Sequence, residues 1–250
     1  MHTSRTRFGK DIVGEFLPPA RPTKKQRVVI IASGAPYEPN KKSLMAFFSD
    51  KGYWTITFRY RGSWESKGKF LAQPHDQDII EVINQLPKGL TDLWTRKKYQ
   101  LKPDQIIVLS ASFGGAAGIL ASRDKRINKT VAISPVVDWK KPGPDEPYPK
   151  LIRYFEEAYG EAFRTVANGW GKLQSGKFFN PVNHIKEIDG NNLLIIHAKD
   201  DRTCPYPATK KFALDTGTKL ISLAKGDHMG SSTIMTPRFY KVFDKFVKAK

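Results

Sequence analysis

The chain has 250 residues, 40% of them hydrophobic, and its 42 Lys and Arg outnumber its 24 Asp and Glu to give a formal net charge of +18. That length and apolar content suit one α/β domain with a core that needs no metal or disulfide staple, and a single cysteine, Cys204, excludes an intrachain disulfide, which fits a reducing, cytoplasmic location. The basic residues are scattered in separate polar segments such as Lys24-Lys25, Lys41-Lys42, Arg96-Lys97-Lys98 and Lys210-Lys211 with no nucleic-acid-binding motif, so the charge speaks for solubility and no specific nucleic-acid partner is expected.

The chain opens with MHTSRTRFGKDIVGEF, which has no apolar run of signal-peptide length. Ile12 to Leu17 reads as part of an antiparallel edge hairpin that Pro18 and Pro19 stop. Short apolar runs rich in β-branched residues then recur at Val28 to Ala32, Trp54 to Phe58, Gln105 to Leu109, Thr130 to Ile133 and Leu193 to Ile196, with a weaker one at Thr218 to Leu223. Such runs are the pattern of strands buried on both faces. Helical patterns fall between them. Leu44, Met45, Phe47 and Phe48 mark one, with Asn40 or Ser43 as its cap. Ile79, Ile80, Val82, Ile83 and Leu86 form a single stripe, with Asp76 in the first turn and Pro87 at the end. Phe239, Tyr240, Val242, Phe243, Phe246 and Val247 give the last helix an apolar face. This alternation builds a mostly parallel sheet with helices on both faces.

Two segments need separate treatment. Residues 106 to 122, IIVLSASFGGAAGILAS, are the most apolar stretch, but three serines and three glycines break it; a buried strand, a turn and a small-residue helix explain it better than a membrane span, and no membrane partner is expected. Residues 136 to 190 interrupt the rhythm with a proline-rich start, PGPDEPYP, and helix-like pieces at Lys150 to Tyr159 and Glu161 to Asn168. They read as a small helical cap inserted into a single domain spanning 1 to 250.

The strand-to-helix turn inside VLSASFGG presents Ser112 between small residues, with Ser110 and Gly114 two positions to either side. A nucleophile elbow has the form G-x-S-x-G, because its strained turn brings strand and helix backbones together. Ser110 stands in place of the first glycine and brings a modest steric penalty; Gly114, Gly115 and Gly118 let the helix lie close. Ser66, Ser33 and Ser134 lack the small-x-Ser-x-small frame. A serine hydroxyl needs a base, and the base an orienting acid. His228, in the loop AKGDHMG after the last strand, is the candidate base; His184 lies in the cap and His197 ends a strand too early. The acid should follow LLII, where HAKDDRTCP offers Asp201, whose spacing to Pro205 suits a turn opening the next helix. Asp200 is its alternative, and Asp138, after TVAISP, a further one. Backbone N–H groups of Phe113 and Ala35 are the candidate oxyanion hole; Pro36 has none to give.

Taken together, VVIIASGAPYEPNKKSLMAFFSDKGYWTITFRYRGSWESKGKF, SASFGG, LLIIHAKDDRTCP and KGDHMG resemble, in order and spacing, an α/β-hydrolase of the bacterial esterase-like kind, with Ser33 where that family's loop carries histidine. SPVVDW and NGWGKLQSGKFFNPVNHIKEI are more loosely similar to prolyl-oligopeptidase-like and serine-aminopeptidase-like hydrolases. The resemblance implies hydrolysis through an acyl-enzyme, with Ser112 attacking, His228 moving the proton and Asp201 holding the imidazole, and neither cofactor nor metal. A carboxylesterase for small to medium acyl groups is the first expectation, its small-molecule ester held by cap aromatics among Tyr148, Tyr154, Phe155, Tyr159, Phe163, Trp170, Phe178 and Phe179. An aminopeptidase or amidase using Glu156, Glu157 or Glu161 to hold an amine, an acyl thioesterase, and a non-catalytic binder are the alternatives, in that order.

Overall fold

A computed structural model describes residues 2–21 and 23–249. Its strands are β1 (Ser4–Phe8), β2 (Ile12–Leu17), β3 (Arg27–Ala32), β4 (Tyr53–Phe58), β5 (Leu90–Thr91), β6 (Lys98–Tyr99), β7 (Gln105–Ala111), β8 (Lys129–Ile133), β9 (Leu193–Ala198) and β10 (Lys219–Leu223). The α-helices are α1 (Lys42–Asp50), α2 (Asp76–Gln85), α3 (Phe113–Ala121), α4 (Tyr148–Tyr154), α5 (Gly169–Gln174), α6 (Tyr206–Thr216) and α7 (Pro237–Lys248). Eight strands form one sheet in the order β1-β2-β4-β3-β7-β8-β9-β10, while β5 and β6 make a separate small hairpin. β1 and β2 run antiparallel to each other, and β2 antiparallel to β4; every other pairing in the large sheet is parallel. This is the α/β-hydrolase class of fold.

The uniform apolar runs follow from two-sided burial. In β3, Val28 and Ile30 join the core under α2, α3 and the 136–190 segment, whereas Val29 and Ile31 join the core under α1 and α7. All four are fully buried. A third cluster seats Phe212 of α6 on Leu193 and Ile195 of β9. Among the described residues, no helix is long and apolar enough to cross a membrane.

Three local expectations are corrected. β7 runs two residues beyond Leu109, to Ala111, because Ser110 and Ala111 still pair with Ala132 and Ile133. α1 begins at Lys42, and Lys41, without a side-chain cap bond, occupies its N-cap position; Asn40 reaches the Lys42 amide only at 3.5 Å. Beyond a single 3-10 turn, Gly160–Ala162, the piece from 163 to 168 is not helical. Phe70 N and Val166 N exchange 2.8 Å bonds with Arg164 O and Phe70 O, and Arg164 N donates to Gly62 O, also at 2.8 Å. Strand-like pairing with the loop after β4 thus overrides a sequence of fair helix propensity. The neighbouring piece is helical as α4 and then widens into a π-helical turn, Phe155–Tyr159.

Candidate active site

Ser112 sits between β7 and α3 with φ 53° and ψ −124°, a conformation that a non-glycine residue adopts only where its surroundings enforce it. The enforcement is visible in the main chain. Ser112 N donates to Ile133 O of β8 at 3.0 Å, while Ser112 O accepts from Gly115 N at 2.8 Å and Val136 N at 3.1 Å. The glycines behind it have no room for a side chain: a Cβ on Gly114 would strike the carbonyl oxygens of Ala32 and Ser33, and one on Gly115 the ring of Pro135. A Cβ on Gly118 would strike the Ser110 side chain. Ser110 is accommodated in place of the motif's first glycine because Gly118 leaves it that space, and its hydroxyl bonds Val131 O at 3.3 Å.

The candidate acid, Asp201, sits in the turn after β9. Asp201 Oδ2 accepts from His228 Nδ1 at 2.9 Å and from His197 Nε2 at 3.0 Å, and its Oδ1 accepts from the amides of Thr203 at 2.9 Å and Cys204 at 2.8 Å. A carboxylate accepts only, so each imidazole places its proton on the nitrogen facing Asp201. Burial pushes this carboxyl up, but the bonds from His197, His228 and the Cys204 amide, with the His228 charge, outweigh it and hold Asp201 well below the usual carboxylate range. Asp200 points elsewhere: its carboxylate accepts from Asp227 N at 3.0 Å and Gly226 N at 3.3 Å, so it shapes the loop that carries His228. Asp138 bonds Lys140 N and Asn180 Nδ2 and meets no histidine by a hydrogen bond.

Asp201 and His228 meet by a hydrogen bond, and the neighbours of His228 and Ser112 meet at the end of β8; among the described residues the Ser112 hydroxyl and His228 share no hydrogen bond. Met229 N, beside His228, donates to Ser134 Oγ at 3.2 Å, and Ser134 follows the Ile133 carbonyl that holds Ser112. Cys204, whose amide bonds Asp201, lines the same pocket as Ser112 and keeps its thiol buried there. Burial keeps that thiol protonated far above its ordinary range. His228 is half-buried and its Nδ1 is engaged by Asp201, leaving Nε2 as the nitrogen available for proton transfer. The other two histidines after Ser112 are occupied structurally: His184 bonds Arg123 and Glu187, and His197 is fully buried. Of the remaining serines, the Ser66 hydroxyl accepts from Val13 N and donates to Arg59 O, and the Ser33 hydroxyl is buried without a partner.

A narrow pocket with about 50 Å³ of free volume opens at Ser112. Ala35 and Phe113 lie on it together with Ser112. As the first residue of α3, Phe113 has no acceptor for its N–H one turn back in the helix. Of the eight cap aromatics, Tyr148, Phe155 and Trp170 line this pocket. Phe163 and Phe179 are instead buried against the core, where Phe163 meets Phe70 and Phe179 meets Phe113 and Trp139. Glu156, Glu157 and Glu161 lie off the pocket, and Asp138 and Glu146 are the carboxylates on its wall. Burial pushes Glu146 up, against the pull of His228 and Lys150. Cys204, His197 and Glu146 were not legible as site residues from the sequence; only the nearness of Cys204 to Asp201 along the chain hinted at one of them.

The prolyl oligopeptidase family model matches residues 39–247. No curated protein sequence matches the chain. Among solved structures, an acylaminoacyl peptidase of Pyrococcus horikoshii superposes with a TM-score of 0.70 at 18% identity over 100% of this chain and 42% of that one. An esterase of Pyrococcus furiosus superposes with a TM-score of 0.68 at 17% identity over 99% of this chain and 89% of that one. The chain therefore spans less than half the length of the acylaminoacyl peptidases it matches, and at these identities the likeness concerns the fold. With a family model matched over most of its length, the chain belongs to the prolyl oligopeptidase family.

Proposed function

We propose that the protein is a carboxylesterase for small acyl esters and that Ser112, His228 and Asp201 carry the reaction. His228 Nε2 takes the Ser112 proton as the hydroxyl attacks the ester carbonyl. The N–H groups of Phe113 and Ala35 receive the developing oxyanion, a role worth about 2.7–4 kcal/mol per donor in comparable sites. His228 returns the proton to the departing alcohol, and water repeats the sequence to free the acid. Asp201 holds the imidazole in the tautomer that leaves Nε2 bare.

The observation that carries the ester reading is the pocket beside Ser112. It is narrow, about 50 Å³, and walled by Phe113, Trp139, Phe155 and Trp170, which suits a short apolar acyl group and gives little to a peptide backbone. One observation favours an aminopeptidase instead: Glu146, half-buried on the same wall and within the field of His228, is placed to meet a substrate amine. Parallel assays on p-nitrophenyl acetate and butyrate and on aminoacyl p-nitroanilides decide between them. The proposal expects ester turnover that Ser112→Ala removes. Anilide turnover exceeding ester turnover, lost in Glu146→Gln, would install the aminopeptidase in its place. The absence of both, with the wild-type protein folded, would leave neither standing.

A further inference from the structure

Two cavities meet at one pair of rings. The pocket that reaches Ser112 has about 50 Å³ of free volume, and on the far side of Phe155 and Trp170 lies a recess of about 710 Å³ bordered by Ile152, Phe163 and Val166 together with charged residues. Phe155 and Trp170 line both. Their rings pack edge to face, with centroids 4.8 Å apart and planes at 71°. Phe155 is 3% exposed and is held from behind by Phe163, at 5.0 Å, and Phe70, at 6.0 Å. It opens the π-helical turn that follows α4, a wide turn of the kind that often marks a functional position. Trp170 is less tied: it is half-buried near the start of the short α5.

We infer that Phe155 and Trp170 are a partition that sets the acyl-length limit of the site, with Trp170 as the removable half. The inference rests on the esterase reading and adds the substrate class: acyl groups short enough to end at this wall. The narrow free space beside Ser112, about 50 Å³, suits a short acyl chain. A longer chain meets the Trp170 indole, and behind it the large recess waits with apolar surface on Ile152, Phe163 and Val166.

The test is a chain-length profile of kcat/KM on p-nitrophenyl esters from acetate to decanoate, for the wild-type protein, Trp170→Ala and Trp170→Leu. Each variant is read as a ratio of octanoate to butyrate, which is independent of the fraction of protein that is active. Wild type is expected to lose at least about tenfold between butyrate and octanoate, since a pocket wall discriminates on that scale. Trp170→Ala is expected to raise the octanoate-to-butyrate ratio by at least about tenfold, and Trp170→Leu by less. An alkyl phosphonofluoridate series, with the adduct located by mass spectrometry, should show the same shift in rates at Ser112. A flat wild-type profile, or an unchanged ratio in both Trp170 variants, overturns the partition while leaving the esterase intact. If wild type turns over no ester and the short phosphonate leaves Ser112 unlabelled, the esterase reading itself falls and takes the partition with it.

Discussion

Asp201→Asn separates the two aspartates of the KDDRTC turn. In the native structure Oδ1 serves two amides, Thr203 and Cys204, and Oδ2 serves two imidazoles, His197 and His228. An asparagine can keep the amide pair through its carbonyl oxygen, which places its NH₂ against both histidines. His228 must then turn its protonated nitrogen toward solvent or move its proton from Nδ1 to Nε2, where it can no longer accept from Ser112. The equivalent exchange in a Ser-His-Asp protease lowers kcat about 10⁴-fold for this tautomeric reason, which corresponds to about 5.5 kcal/mol of barrier. Folding suffers less: two hydrogen bonds to a charged acceptor, at about 1.5–3 kcal/mol each, are exchanged for weaker neutral contacts, so a loss of about 2–4 kcal/mol is expected. Asp200→Asn is the control. Asp200 bonds only the Gly226 and Asp227 amides, which an amide oxygen still accepts, so a loss of no more than about tenfold is expected. The assay is kcat/KM on p-nitrophenyl butyrate, with active sites counted by phosphonate titration. Asp201→Asn retaining more than about a tenth of wild-type activity, or Asp200→Asn proving the more damaging, would refute the assignment of the acid and the tautomer argument with it.

Ser112→Gly should be the more stable of two inactive variants. It relieves a positive-φ strain of about 1–3 kcal/mol against a glycine entropy cost of about 0.5–1 kcal/mol, so about 1 kcal/mol over Ser112→Ala, or about 2–4 °C in Tm by calorimetry, is expected. His228→Ala should remove at least about 10³-fold of activity, while circular dichroism melting falls by about 3–6 °C for the one bond to Asp201 that is lost. The amides of Gly226, Asp227 and Met229 still anchor the loop, so the variant stays folded. Glu146→Gln should raise Tm by about 1–2 °C at pH 7. Burial raises this carboxyl, so the folded state binds its proton more tightly than the unfolded chain does, and the penalty of ionising it appears only as pH rises through the unfolded and then the folded value. The gain should therefore vanish below pH about 4, near the unfolded carboxyl value; a gain that persists there would reject burial as its cause.

The sheet was legible because two-sided burial leaves a plain mark: runs such as VVIIA and LLII have no polar alternation. The elbow was legible for a similar reason, since close packing of α3 on β3 and β8 demands Gly114 and Gly115. The cap was harder. EAFRTVAN has the propensity of a helix, yet its backbone pairs with Gly62 and Phe70, about a hundred residues earlier, and no local pattern carries that information. The pocket wall shows the same limit. Glu146 lies within PGPDEPYP, a segment whose composition announces a turn, and it gains its position on the pocket from Gly143 and Asp145 bonding back to the 202–203 backbone. The first glycine of the elbow is a subtler case. Ser110 looked like a departure from the motif, and the structure shows that Gly118, two turns further on, supplies the missing space.

The segment between β9 and α6 explains why so few residues fix the geometry. Asp200 shapes the histidine loop, Asp201 holds the imidazole, the Thr203 and Cys204 amides hold Asp201, and Cys204 lines the pocket that Ser112 also lines. His197, at the end of β9, closes the set from below with bonds to both Asp201 Oδ2 and Cys204 O. Pro205 then leads directly into α6, which Phe212 anchors in the core. Errors in placing three separate loops would add; here one short turn, tied to strand β9 at one end and helix α6 at the other, positions the acid, the base loop and the neighbour of the serine together. A shift of this turn therefore moves Asp201 and the His228 loop as a unit, and what remains to be fixed independently is Ser112, which the Ile133 carbonyl and the β7–α3 close packing hold in place.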